Sequence, residues 1–392
     1  MLTRRAMFSN RTAWNRATNR LSEALARYRT SGEPFFDLSI SNPTECGFHY
    51  DERAIMRALC SPATLQYHPD PRGVAVARQA VVQYYAERDQ QVVLDDIILT
   101  TSTSEAYSFI FRLLCNAGEE ILVPTPSYPL FDFLAEIEDV RIVPYPLVYD
   151  HGWQIDLHGL QQAITPKTRG MIVVHPNNPT GNFVKSSELA ALNQLCSEKQ
   201  MALIADEVFL DFSLQQELPA SFSANTGSLT FTMSGLSKIA GLPQMKLAWL
   251  VASGPEQEKR EALARLEIIA DTYLSMNAPV QLAAPEFLRQ RHSFKKQLMA
   301  RLRANLEELD RQIAGQKHCG RLEVEGGWYS VLRIPATRSD EDLALELLEQ
   351  RGVFVHPGHF YDFVQDGYLI VSLITPQQEF SEGIKRLLSP VG

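Results

Sequence analysis

Lys238 stands where a run of strand-forming residues ends. Residues 228–233 read as a strand, and they stop at Ser234-Gly-Leu-Ser-Lys-Ile-Ala-Gly-Leu-Pro-Gln-Met-Lys246 before a second apolar run, 247–252. A lysine at the end of a buried strand is poorly solvated, which lowers its pKa and frees a neutral amine. A neutral amine is what Schiff-base chemistry with a carbonyl requires. A second apolar run, 202–205, ends in two carboxylates, Asp206 and Glu207. A buried carboxylate without a partner is costly, so one of them is expected to meet a fixed cation or donor. The third feature is His175-Pro-Asn-Asn-Pro-Thr-Gly-Asn182, directly after the apolar run 171–174. Its Asn, Pro and Gly residues supply the dihedrals of a tight turn, with Asn178 in the middle.

Asn178-Pro-Thr-Gly181, Asp206-Glu-Val-Phe209 and Ser237-Lys238 follow one another in this order. The ordered set resembles the class I/II aminotransferases, the fold-type I pyridoxal-phosphate enzymes, and the resemblance runs from about residue 35 to the C-terminus. It implies an α/β fold: a large domain with a mostly parallel central sheet covered by helices, plus a smaller α+β domain. It also implies pyridoxal 5'-phosphate as cofactor and the following roles. Lys238 is the Schiff-base lysine and the proton carrier. Asp206 holds the pyridine nitrogen protonated so that the ring accepts electrons. Asn178 donates to the phenolic oxygen. Tyr128, in Pro126-Ser-Tyr-Pro129, stacks on the ring, or else is a core anchor between prolines. Ser102, Thr103 and Ser104 open a helix after a strand, in a Ser-x-x-Glu capping pattern whose free N–H groups suit a phosphate. Lys246 stands where the family has a phosphate-binding arginine, keeping the charge without the bidentate geometry. Ser237 is a further phosphate contact. Tyr67 matches a tyrosine that reaches the neighbouring subunit's phosphate, which implies a homodimer with shared active sites; otherwise it packs on its own domain.

The sequence departs from the family in two places. The family tyrosine three residues after the aspartate is Phe209 here, so one hydrogen bond to the cofactor should be absent. The family arginine that holds a substrate carboxylate is Ile370, in Asp366-Gly-Tyr-Leu-Ile-Val-Ser372, and no arginine or lysine lies between Arg351 and Lys385. An isoleucine makes no ion pair with carboxylate. Either another cation takes over, with Arg72 and Arg333 as candidates, or the recognised end of the substrate is not a carboxylate. His356, His359 and Asn42 are candidates to line the substrate pocket. Glu207 is expected in a structural salt bridge or helix-dipole contact.

The chain has 392 residues, enough for two domains and a large core. A net charge of −9 argues against nucleic acid as the main partner. No apolar run approaches the ~18–20 residues that span a membrane. Five cysteines without paired spacing, and histidines without HExxH clustering, point to no disulfide framework, no metal site and a reducing cytoplasm. Arg4, Arg5, Arg11, Arg16 and Arg20 precede a helical pattern and read as a basic leading helix. Strand–helix alternation up to residue 274 implies a parallel sheet with active residues at its carboxyl ends. The expected division is 1–45 as the N-terminal segment of the small domain, 46–275 as the large cofactor-binding domain and 276–392 as the C-terminal small domain. The partners implied are an amino donor and an oxo acceptor. A lyase or decarboxylase on the same fold is the alternative activity, and a non-catalytic cofactor-binding protein is a third.

Overall fold

The structure, a computed structural model, describes residues 7–274 and 276–389. Arg4 and Arg5 of the basic leader, and the expected boundary residue Ser275, lie outside the described residues. The rest of the leader is not one helix. Residues 13–19 run without regular structure, and Trp14 donates to Glu136 and packs edge-on against Phe133. Helix α1 (Arg20–Ser31) begins only where Asn19 caps it, accepting from Ser22 N at 2.7 Å. This cap outweighs the helical reading of the basic stretch before it.

Strand β1 (Phe36–Asp37) follows, then α2 (Glu52–Leu59) and α3 (Ala75–Ala86). The alternation begins at β2 (Ile97–Thr100) and α4 (Thr103–Leu114), and continues through β3 (Glu120–Thr125) and α5 (Phe131–Ile137). Next come β4 (Arg141–Tyr149), β5 (Trp153–Ile155), α6 (Leu157–Ala163) and β6 (Thr168–Val174). They lead to α7 (Ser186–Lys199), β7 (Ala202–Asp206), β8 (Thr230–Gly235), the one-turn α8 (Leu236–Ile239) and β9 (Ala248–Ser253). Helices α9 (Glu256–Thr272) and α10 (Ala278–Ile313) follow; Asn277 caps the second by accepting from Val280 N at 3.1 Å. The C-terminal part holds β10 (Gly320–Arg321), β11 (Tyr329–Arg333), α11 (Asp340–Arg351), β12 (Val353–Phe354), β13 (His356–Pro357), β14 (Tyr368–Ser372) and α12 (Gln377–Leu388).

Eight strands form one sheet in the order β2-β9-β8-β7-β6-β3-β4-β5. From β8 to β4 the neighbours are parallel; β9 and β5 run the other way, and β2, antiparallel to β9, points with the parallel set. Every residue of β2, β7, β8 and β9 is buried. Continuous burial of this kind follows from helices on both faces. One face is covered by α4, α5 and α9, which share a core with Ile121, Ile204 and Leu250; α3 and the start of α10 share another with Leu99 and Trp249.

A four-stranded antiparallel sheet, β10-β11-β14-β13, forms the second layered body. The N-terminal segment is stitched to it. β1 pairs in parallel with β12, Leu38 N donates to Phe354 O at 2.9 Å, and Ser372 N donates to Leu38 O at 2.6 Å. β10 is confined to Gly320–Arg321, and β4 runs on to Tyr149, where the chain turns back as a hairpin with β5.

Candidate active site

The carboxyl ends of four neighbouring strands each deliver one of the singled-out residues. Asp206 ends β7, and Lys238 follows β8 in the turn of α8. Asn178 sits in the turn after β6, and Tyr128 in the turn after β3. Ser102, Thr103 and Ser104 lie at the same edge, after β2. Because β9 runs opposite to β8, its first residues return to this edge and bring Lys246 with them. Sheet order thus gathers residues more than a hundred positions apart.

Two glycines of the motifs have steric reasons. A Cβ on Gly235 would stand 2.8 Å from the Ala248 Cβ across the β8–β9 pair. At Gly181, φ is +75°, and a Cβ there would lie 2.7 Å from the backbone oxygen of Gly326. The turn that carries Asn178 is held by its neighbours. Asn177 Nδ2 donates to Pro126 O at 3.0 Å, tying this turn to the one bearing Tyr128. His175 Nδ1 accepts from Val184 N at 3.0 Å, and burial pushes the imidazole pKa down to about 3, so it serves as a neutral bracket.

Asp206 is buried, with Tyr107 OH on Oδ2 at 2.9 Å and Val208 N on Oδ1 at 3.1 Å. Burial raises its pKa, and these two donors and the charge of Lys238 act against that rise. Lys238 Nζ lies 5.0 Å from the ring centre of Trp328 and 5.5 Å from that of Phe209. Removal from water between these rings brings its pKa down to about 8, with Asp206 acting in the opposite sense. Asn178 is buried, and its Oδ1 has no hydrogen-bond partner.

Ser102 caps α4 by accepting from Glu105 N at 3.2 Å. The reciprocal arm of the capping pattern is shifted by one residue: Glu105 Oε2 accepts from Thr101 N at 2.7 Å rather than from the Ser102 N–H. Thr103 and Ser104 occupy the first turn, where N–H groups have no intrahelical acceptor. Ser237 is partly buried in α8, and Lys246 is exposed, with φ of +51°. Tyr128 lies in the turn before α5, which begins at Phe131. Tyr67 is 74% exposed, close in sequence to Leu65 at 89%.

The substrate-side candidates fare differently. Asn42 shapes its own turn, with one Nδ2 N–H donated to Glu45 at 2.8 Å and Oδ1 accepting from Thr44 Oγ1 at 2.7 Å. His359 is exposed at the lip of a cavity beside Tyr128. Arg72 is tied to Glu267 at 2.7 Å and to Asp95 O at 2.6 Å, and Arg333 is exposed at the end of β11. Ile370 is 1% exposed in the core of the small sheet. Of the two contacts expected of Glu207, an ion pair is not formed among the described residues; it sits instead at the start of the 3-10 turn 222–224, accepting from Ser221 Oγ at 2.7 Å and from Phe222 N at 2.6 Å, and burial pushes its pKa up to about 7. Tyr107, Trp328 and Tyr361 were not singled out in the sequence. Only Tyr107 had a local signal there, one turn after Ser104 on the helix that faces the site.

The model of the family "Aminotransferase class I and II" matches residues 36–387, so the chain belongs to that family. It is a pyridoxal-phosphate-dependent aminotransferase. Its relatives include the glutamate-pyruvate aminotransferase AlaA of Escherichia coli strain K12, 28% identical over 360 residues and 88% of each chain. The alanine aminotransferase of Mycobacterium bovis is 26% identical over 375 residues, 92% of this chain and 86% of that one. The alanine aminotransferase structure from Pyrococcus furiosus superposes with a TM-score of 0.86 at 23% identity, covering 97% of this chain and 98% of that one. The last of these shows the shared fold.

Proposed function

We propose that Lys238 is the residue that binds the cofactor covalently and moves the substrate α-proton, in transamination between an amino acid and an oxo acid. The observation that carries this is the amine of Lys238, enclosed by Trp328 and Phe209 with Asp206 as its counter-charge. A pKa of about 8 leaves roughly a few hundred times more neutral amine at pH 7 than an exposed lysine has. When bound, pyridoxal phosphate supplies an electrophilic carbonyl carbon and a ring that accepts the electrons released at the substrate α-carbon.

The other residues fit that group. Asp206, buried and short of a cation other than Lys238, gains a partner in a protonated ring nitrogen, and Tyr107 and Val208 fix its orientation. The buried Asn178 amide lacks a partner and is suited to the ring's phenolic oxygen; which of its two ends faces that oxygen follows from the network rather than from the amide's shape. Tyr128 covers the ring. The first turn of α4, with the hydroxyls of Ser102, Thr103 and Ser104, together with Ser237 and Lys246, receives the phosphate. With the cofactor bound, the Lys238 amine would hold its aldehyde carbon and would serve as the base that takes up the substrate α-proton and the acid that gives it back.

The exposed Tyr67, with Leu65 and Met56 also exposed, supports a homodimer in which Tyr67 of the partner subunit completes the phosphate site. Residues 1–45 and 276–392 belong together as the small domain, and 46–275 form the cofactor-binding domain; the pairing of β1 with β12 supports this division. All five cysteines are free, which supports a cytoplasmic location. No helix among the described residues is long and apolar enough to cross a membrane.

Borohydride reduction of the cofactor-loaded protein, followed by peptide mapping, tests the assignment. The cofactor mass is expected on the peptide containing Lys238, and its appearance on another lysine would overturn the reading.

A further inference from the structure

An amino-acid substrate brings a carboxylate, and a cavity lies beside Tyr128, the residue read above as covering the cofactor ring. That cavity measures about 310 Å³, and its walls include Tyr128, His356, His359, Tyr361 and Asp362, with no lysine or arginine among them. A guanidinium would be the ordinary choice for a carboxylate. Here the middle of β14 carries Ile370, which faces Val331 of β11 on one side and His356 of β13 on the other. Residues directly opposed in an antiparallel pair present their side chains to the same face, about 5 Å apart. The imidazole of His356 therefore stands on the face of Ile370 and reaches the cavity wall that Ile370 does not.

His356 is held in place. Its Nδ1 lies 3.2 Å from the hydroxyl of Tyr361, and its ring is in contact with those of Phe354 and Phe360 at centroid distances of 5.8 Å and 5.6 Å. Tyr361 is itself fixed at the backbone, where its carbonyl accepts from Ser127 N at 3.0 Å, one residue from Tyr128. The turn carrying the pair is thus docked on the turn carrying the ring stacker. With the Tyr361 hydroxyl donating to Nδ1, the neutral imidazole keeps its proton on Nε2 and has one donor left.

We propose that the His356–Tyr361 pair binds the carboxylate of the amino-acid substrate, with His356 Nε2 as the donor and Tyr361 setting the ring's tautomer and direction. This rests on the transaminase reading above. Neutral donors hold a carboxylate less firmly than a bidentate guanidinium, so the enzyme works with a high KM for its donor and accepts amines more readily than an arginine-equipped site.

The test uses the cofactor-loaded enzyme. Its visible spectrum is followed while a panel of L-amino acids is added, and the best donor is then compared with the amine that lacks its carboxylate. His356→Phe is expected to raise the amino-acid concentration for half-conversion roughly tenfold or more, with the limiting rate little changed and the response to the amine unaltered. His356→Gln, whose amide still donates, is expected to lose less, and Tyr361→Phe to weaken amino-acid binding while sparing the amine. Because each variant is read as a ratio of amino acid to amine, a general loss of folding cancels. If His356→Phe leaves that ratio unchanged in an enzyme that converts amino acids, the proposal is overturned and transamination stands. If the wild type converts neither compound, the transaminase reading fails and the proposal goes with it.

Discussion

The phenol of Tyr107, on the first helix after β2, donates to Asp206 Oδ2 at 2.9 Å. Burial around the pair raises the pKa of both groups. Each neutral hydrogen bond of this sort contributes about 1 kcal/mol, and one to a charged group more. Tyr107→Phe should therefore weaken cofactor retention by roughly tenfold and lower kcat modestly. Asp206→Asn, which removes the charge itself, should cost roughly a thousandfold in kcat. Dialysis against phosphate buffer with absorbance readout checks the first, and steady-state rates check the second; an equal effect of the two substitutions would contradict the division of roles.

Lys238 ties activity to stability. Its folded pKa of about 8 lies below the reference 10.5, because burial disfavours the ammonium. The unfolded chain therefore binds this proton more tightly. The cost of burying the charge is complete below pH 8, shrinks as the pH rises through the window up to 10.5, and is gone above it. Lys238→Met should make the cofactor-free protein more stable by up to ~3 kcal/mol at pH 7, with the gain fading toward pH 10.5. Urea unfolding at several pH values measures this, and a gain that does not depend on pH would contradict the burial argument.

Phe209 has no hydroxyl to offer the cofactor's phenolic oxygen, and its ring instead packs against Trp328 at 5.2 Å. A donor at that oxygen favours the form in which it carries negative charge. Phe209→Tyr should therefore lower the pH at which the visible band of the cofactor-loaded protein titrates, by about one unit or more. A spectrophotometric titration of wild type and variant decides it, and an unchanged midpoint would show that Phe209 does not adjoin that oxygen.

Lys246 supplies charge to the phosphate without a fork of donors. Lys246→Ala should weaken cofactor binding by roughly ten- to a hundredfold, whereas Lys246→Arg should retain or improve it. Equilibrium binding measured by the quench of tryptophan fluorescence distinguishes these outcomes, and an alanine variant that binds normally would remove Lys246 from the site.

Much of this arrangement was legible along the chain, for identifiable reasons. β7 and β8 are buried on both faces, so they read as unbroken apolar runs whose polar ends, Asp206 and Lys238, mark the edge of the sheet. Gly181 and Gly235 were visible as motif glycines because no Cβ fits at either position. The remaining features depend on contacts that sequence spacing does not encode. Trp328 meets Lys238 only because the C-terminal part folds back onto the large sheet, and His356 meets Ile370 through strand register. Nor does spacing show that Asn42, the candidate substrate contact, shapes its own turn by accepting from Thr44 N and donating one of its two N–H groups to Glu45. Tyr128 stands in a turn before α5, which starts at Phe131: Pro129 has no N–H to give, and Ser127 N is bound to Tyr361 O.

The central claim is that the residues gathered at the sheet edge carry out amino-group transfer, and a single-turnover experiment tests it most directly. The cofactor-loaded enzyme is mixed with an excess of the best amino-acid donor and no acceptor, and the cofactor form, oxo acid, ammonia and carbon dioxide are all quantified. One equivalent of cofactor converted to its amine form, with one equivalent of oxo acid and neither gas, is the predicted result. Ammonia or carbon dioxide released while the cofactor stays in its aldehyde form would contradict it and would mark the enzyme as a lyase or decarboxylase on the same fold.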